Sequence, residues 1–274
     1  MPNHGSLVIF TLMVQSAVGS IWCLQIACFW NGGRVDAAHL EFQILVALGL
    51  VLTGLAAAMA HLGRPAGSLQ AVKNFKSSWL SREIFSVNLF AGLLAVMALW
   101  AHIDPATLTG WQLLVGSLAG GAVLYAMVRV YRLRTVPTWN HAGTPLAFAG
   151  SAVLLGGLLC TLVLQTLTLL QGVGHAARGQ ADLRIVVLIA VLAGFILKIL
   201  ACRAKPSEPI SAGPFKTRQP VLQALGIALW AIAVFGAGNP VFQSLLLFLA
   251  AVCLVSGEII HRAQFYISYQ RVGL

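Results

Sequence analysis

The chain is built from eight apolar blocks, each close to the length a helix needs to cross a membrane. A hydrocarbon core about 30 Å thick takes ~20 apolar residues at ~1.5 Å of helical rise each. The blocks run approximately over 6–30, 40–62, 80–101, 111–131, 145–170, 183–201, 221–237 and 241–261. Barrel strands would instead read as ~9–11 residues of alternating polarity. Charged residues make up 9% of the chain, against about 25% in a soluble domain, and the mean hydropathy is +0.87. The expected fold is an all-α integral membrane protein, a bundle of eight transmembrane helices forming one domain over 1–274.

Breakers fall where turns are needed: Asn31-Gly32-Gly33, Pro65, Asp104-Pro105, Pro137, Pro145 and Gly238-Asn239-Pro240. The connector 202–220 carries Pro206, Pro209, Pro214 and Pro220 and reads as irregular. The N-terminus lacks the Lys or Arg of a signal peptide's first region, so no cleavable signal is expected.

An even number of spans puts both termini on one side. That side collects Arg64, Lys73, Lys76, Arg82, Arg129, Arg132, Arg134, Lys198, Arg203, Lys205, Lys216, Arg218, Arg262 and Arg271. Only Arg34, Arg178 and Arg184, of 17 Lys and Arg, fall on the other. The positive-inside rule then predicts cytoplasmic N- and C-termini. Residues such as Lys198 lie at span ends, where a long side chain can snorkel to water. The net charge of +10 comes from these loops. It suits membrane lipid headgroups or an acidic partner face better than a nucleic acid.

The five cysteines (Cys23, Cys28, Cys160, Cys202, Cys253) form no Cys-x-x-Cys pair, so no zinc or iron–sulfur site is encoded locally. Every His lies at an expected span end or in a loop, whereas a transmembrane haem usually takes two His well inside helices. No haem and no metal are expected. Walker loops, dinucleotide-binding glycine patterns, hydrolase triads and H-E-x-x-H are also missing. Any hard redox chemistry must therefore sit on partners.

The acidic residues number only 7, and an acid at the lip of a membrane helix is expensive. Glu83 begins span three. One reading is helix chemistry, with Ser81 as N-cap and an acid in the first turn. The other is a proton acceptor at the membrane edge. His61 closes span two before Gly63 and Pro65, a normal stop signal, or it exchanges protons with an interfacial ligand. Arg129 and Tyr131 end span four, and Val136-Pro137-Thr138-Trp139 reads as a loop folded onto the surface, with snorkelling Arg and an interfacial Trp. Glu258 lies three residues before His261 on one helix face. It either forms an ion pair with Arg129 or Arg262 or carries a second proton. A di-metal centre would need more carboxylates than the sequence has.

The segments His61-Leu62-Gly63-Arg64-Pro65 and Ser78-Trp79-Leu80-Ser81-Arg82-Glu83-Ile84 resemble the matching stretches of the dimethyl sulfoxide reductase membrane anchor subunit family. So do M-V-R-V-Y at 127–131, T-V-P-T-W at 135–139 and G-E-I-I-H-R at 257–262. The resemblance covers nearly the whole chain. It implies a bacterial inner-membrane anchor, free of haem, for a molybdopterin catalytic subunit and an iron–sulfur subunit. It also implies electron exchange with a quinone, menaquinone or ubiquinone, in a dimethyl sulfoxide reductase-like or sulfite dehydrogenase-like complex. In that family the His and Glu matching His61 and Glu83 are implicated in quinol binding. Arg64 and Glu258 join them as candidates from position alone. The expected site is a quinone pocket at the basic face, between spans two and three with span eight as a further wall. A small-molecule transporter is the alternative, although no charge or broken helix is clearly placed at the membrane's midplane.

Overall fold

The computed structural model describes residues 5–32, 36–62, 74–104, 110–171, 177–204, 215–236 and 239–269, except for the side chains of 61, 62, 171, 177–182 and 215–217. Eight helices span these residues: α1 (Gly5–Trp30), α2 (Ala37–Leu62), α3 (Trp79–Ile103), α4 (Gly110–Tyr131), α5 (Gly143–Gln171), α6 (Ala177–Arg203), α7 (Phe215–Phe235) and α8 (Pro240–Ile267). Each is long and apolar enough to cross a membrane. In hydrocarbon every backbone N–H and C=O must bond within its own segment, which selects helices for blocks of this length.

Several helix ends differ from the sequence reading, and four of the differences matter for the site. Helix α3 is capped by Ser78, whose side chain accepts from the Ser81 amide at 3.3 Å. The Ser81 cap expected from the sequence is therefore corrected, and Glu83 lies beyond the first turn, where the helix dipole has little hold on it. Helix α6 starts at Ala177, before the expected 183. Helix α7 starts at Phe215 and takes Pro220 inside it, so the irregular connector ends earlier than expected. Helix α8 runs to Ile267, which moves His261 and Arg262 from a helix end to its interior.

The helices form two adjoining groups. Helix α1 packs on α2 and α4, and α3 closes the ring by packing on both. In the second group α5 packs on α6 and α8, and α7 packs on α8 but meets α6 only sparsely. The groups join where α1 lies along α5. These two helices are the centre of the molecule: 72% of each spanning window is buried, against 28–50% elsewhere.

Lipid gives apolar helices no hydrophobic reason to associate, so small residues that let backbones touch are the main adhesive. Gly19 on α1 and Gly156 on α5 do this. A Cβ on Gly19 would overlap the Ala152 carbonyl, and one on Gly156 would overlap the Gly19 backbone. Gly92 on α3 has nothing within 4 Å of its Cβ direction. Substituting Gly156→Ala should lower stability in detergent by about 1–3 kcal/mol or more, since the obstacle is backbone rather than a flexible side chain. Gly92→Ala should be neutral or mildly stabilising. Thermal melts of the two variants check the pair, and equal melting would contradict the crossing described here.

Candidate functional site at the basic face

Alternating helix directions bring the starts of α1, α3, α5 and α7 and the ends of α2, α4, α6 and α8 to one face. It is the face carrying most of the Lys and Arg. Two buried polar assemblies lie below it, bridged by α8.

The first holds Glu83 of α3, only 4% exposed. Its Oε1 is buried and, among the described residues, has no hydrogen-bond partner. An orphaned carboxylate oxygen in a bundle interior costs free energy, so function is the better explanation for an acid here. The phenols of Tyr131 (α4) and Tyr266 (α8) lie within electrostatic range of Glu83. Their hydroxyls meet at 2.9 Å, and the Tyr266 side chain also bonds Thr11 of α1. Aromatic packing holds the pair. Tyr131 meets Trp139 edge-on at 5.6 Å and Phe265 at 5.5 Å. Trp139 in turn stacks on Phe265 at 5.1 Å and donates its indole N–H to the Phe265 carbonyl at 2.7 Å. The loop 135–139 is thus pinned against the end of α8, where the sequence suggested a Trp spread on the membrane surface.

The second assembly centres on Glu258, fully buried in α8. By helical rise it lies roughly 13 Å from the helix end at ~1.5 Å per residue. Its carboxylate forms an ion pair with Lys198 of α6. It also accepts from Ser151 Oγ of α5 and from the Gln223 amide of α7, both at 2.7 Å. Lys198 Nζ donates as well to Ser151 Oγ at 3.1 Å and meets His261 Nδ1 at 3.2 Å. The partner expected from sequence for Glu258, Arg129 or Arg262, is corrected to Lys198. Lys198 is 2% exposed, so it does not snorkel, because an internal carboxylate outcompetes the distant water. Arg129 instead lies with Arg82 against the Trp79 ring, at 4.7 and 4.3 Å.

Arg262 links the two assemblies. Its Nη2 donates to Gln15 Oε1 of α1 at 2.7 Å and reaches Ser151 Oγ at 3.4 Å. Its guanidinium lies 4.0 Å above the Phe148 ring. It interacts electrostatically with Glu258 on one side and with Tyr131 and Tyr266 on the other. Four buried ionisable side chains, Glu83, Glu258, Lys198 and Arg262, therefore occupy neighbouring positions under this face.

Of the residues expected in the site, Glu83 and Glu258 are buried here, in separate assemblies joined through Tyr266 and Arg262. Arg64 and the side chain of His61 lie outside the described residues; the His61 backbone closes α2 on this face. Sequence reading missed Lys198, Ser151, Gln15 and Gln223 as members of one network. Their signal was a polar side chain inside an apolar block, visible singly but not as a set.

The fold defines a polytopic helical membrane protein with a polar interior at one face. A family model described as DMSO reductase anchor subunit (DmsC) matches residues 3–267, and the protein belongs to that family. Among similar proteins, the C subunit of the anaerobic dimethyl sulfoxide reductase of Escherichia coli (strain K12) is 28% identical over 281 residues, covering 98% of this sequence and 96% of that protein. The anaerobic dimethyl sulfoxide reductase subunit YnfH of the same strain is 26% identical over 280 residues, covering 98% and 95%. The corresponding C subunit of Haemophilus influenzae is 30% identical over 161 residues, 58% of this sequence and 57% of that protein. No solved structure matches.

Removing one member of a buried ion pair strands the other, at a cost of about 3–5 kcal/mol, whereas removing both costs less. Lys198→Met should therefore destabilise strongly, and K198M/E258Q together should recover much of the loss. A double-mutant cycle on thermal stability checks this. Simple additivity of the two single losses would contradict the pairing.

Proposed function

We propose that this protein anchors a molybdopterin catalytic subunit and an iron–sulfur subunit at the bacterial inner membrane and exchanges electrons between a quinone and the iron–sulfur partner. Family membership and the names of the relatives, which are subunits of anaerobic dimethyl sulfoxide reductases, support the anchoring role. The quinone role rests on one observation: Glu83, a buried acid with an oxygen that no described residue bonds, at the face that gathers the polar groups.

A quinone supplies a two-electron, two-proton couple, and its protons need a group at the reaction site to take or give them. Glu83 fits that requirement. Its buried carboxyl oxygen, unbonded among the described residues, is suited to a hydroxyl of a quinol head or, when protonated, to a quinone carbonyl. The Tyr131–Tyr266 hydroxyl pair adds polar contacts that can donate or accept without gaining charge. His61, closing α2 on the same face, is the second proton-carrying candidate, with Arg64 just beyond it. Glu258 is engaged by three donors, which suits it to holding Lys198 and Arg262 in place more than to meeting a ligand. The basic rim suits a cytoplasmic catalytic pair, with both termini cytoplasmic.

Glu83→Gln keeps the shape and removes the exchangeable charge. In the assembled complex it should cut quinone-coupled turnover by about 10²-fold or more, the usual scale for a proton-transfer group. Activity with an artificial electron donor to the iron–sulfur subunit should be unchanged. Stability should hold or rise, because the orphaned carboxylate is gone. Steady-state assays with both donors, alongside a melt, read the three outcomes. Normal quinone-coupled turnover would remove Glu83 from the mechanism.

A further inference from the structure

The chain between α4 and α5 is a folded loop rather than a slack connection. The Val136 amide donates to the Leu133 carbonyl, and the Asn140 amide to the Val136 carbonyl, both at 3.0 Å. Val136 is fully buried, and Thr144 Oγ1 donates to the Trp139 carbonyl at 2.6 Å. With Trp139 stacked on Phe265, the loop is closed on itself and fastened to α8. What it leaves outside is specific. Arg132, Arg134 and Pro137 are exposed, and so is Leu133, at 44%. Tyr269, exposed and 5.0 Å from the Trp139 ring, extends the patch past the end of α8.

A cationic loop alone would be an orientation signal. Orientation needs only charge, which a frayed loop carries equally well. It needs neither a fixed fold nor an exposed leucine between two arginines. Arg and Tyr held around a small apolar contact are instead the composition of a protein interface. The charge points to an acidic one. This face has three acids in the sequence: Glu83 and Glu258 are buried, and Glu208 lies outside the described residues. At most one carboxylate of the chain itself is left for all the exposed cations here, so their complement comes from another molecule. Position separates a protein from lipid. The loop leaves α4 in the first group, packs on the end of α8 in the second and enters α5 at the centre. It crosses the middle of the face, whereas lipid meets the bundle at its rim. Under the loop, Trp139 meets Tyr131, which lies within electrostatic range of Glu83.

We propose that Arg132, Leu133 and Arg134 are the docking contact for the iron–sulfur subunit, which meets them with acidic side chains around a small apolar contact. This rests on the function proposed above and names the surface that serves it. Electron transfer weakens steeply with distance, and docking over this loop brings the partner's cluster close to Glu83.

The test places a photocrosslinking phenylalanine analogue at position 133 of the complex in membranes. Illumination should join this protein to the iron–sulfur subunit. The same analogue at Ile103, exposed at the other end of α3, should give no such adduct. The charge-reversed R132E/R134E should weaken retention of the iron–sulfur subunit about tenfold or more, since like charges across an interface repel. R132K/R134K should retain it, and the anchor's own melting temperature should hold in both, because these side chains are exposed. Adducts from position 133 only to lipid or only to the molybdopterin subunit would overturn the docking assignment, and so would normal retention by R132E/R134E. In each of those cases an intact complex leaves the proposed function standing. Purification of the wild type without any iron–sulfur subunit would overturn both.

Discussion

The α1–α5 crossing is the constraint on which the rest of this molecule depends. Lipid offers apolar helices no reason to leave it for one another, so the bundle needs contacts that lipid cannot supply. Gly19 and Gly156 supply one by bringing two backbones together. That approach sets the α1–α4 ring directly beside the α5–α8 group. It also brings α1's Gln15 within reach of Arg262 on α8, and Thr11 within reach of Tyr266. A wider crossing would separate these pairs and open the polar interior to lipid.

Polar bonds do the second part of the fastening. Ser151, Lys198, Gln223 and Glu258 come from four different helices and meet at one carboxylate. Such a hub fixes the register of α5, α6, α7 and α8, which similar apolar faces would leave loose. It lies wholly toward one face, as do Glu83 and the two phenols. The opposite end of the bundle is held more simply, by pairs such as His102 with Glu41 at 2.9 Å. The asymmetry matches the distribution of basic residues, so the face that sets orientation is also the face with interior chemistry.

Much of this was legible in the sequence. Block length alone gives the eight spans, because hydrocarbon thickness leaves a helix little choice of length. Glu83 and Glu258 stand out because an acid in so apolar a sequence needs a reason. Helix ends were less legible. Pro220 reads as a breaker yet lies inside α7, and Ser78 and Ser81 are equally good caps until the packing of α3 chooses between them. Lys198 was the least legible of all. A lysine five residues from a helix end is the ordinary picture of snorkelling, and only the tertiary placement of Glu258 turns it inward. The crossing was hidden as well, since Gly19 and Gly156 are two of 27 glycines and nothing local marks the pair.

The most direct measurement is an experimental structure of the assembled complex with a quinone, or a quinol-analogue inhibitor, bound. The expected result places the ring at the basic face of the α1–α4 ring, with a carbonyl or hydroxyl in hydrogen-bond contact with Glu83. A ring bound at another place on the bundle, with the Glu83 carboxylate bonded only to protein or to a partner subunit, would contradict it.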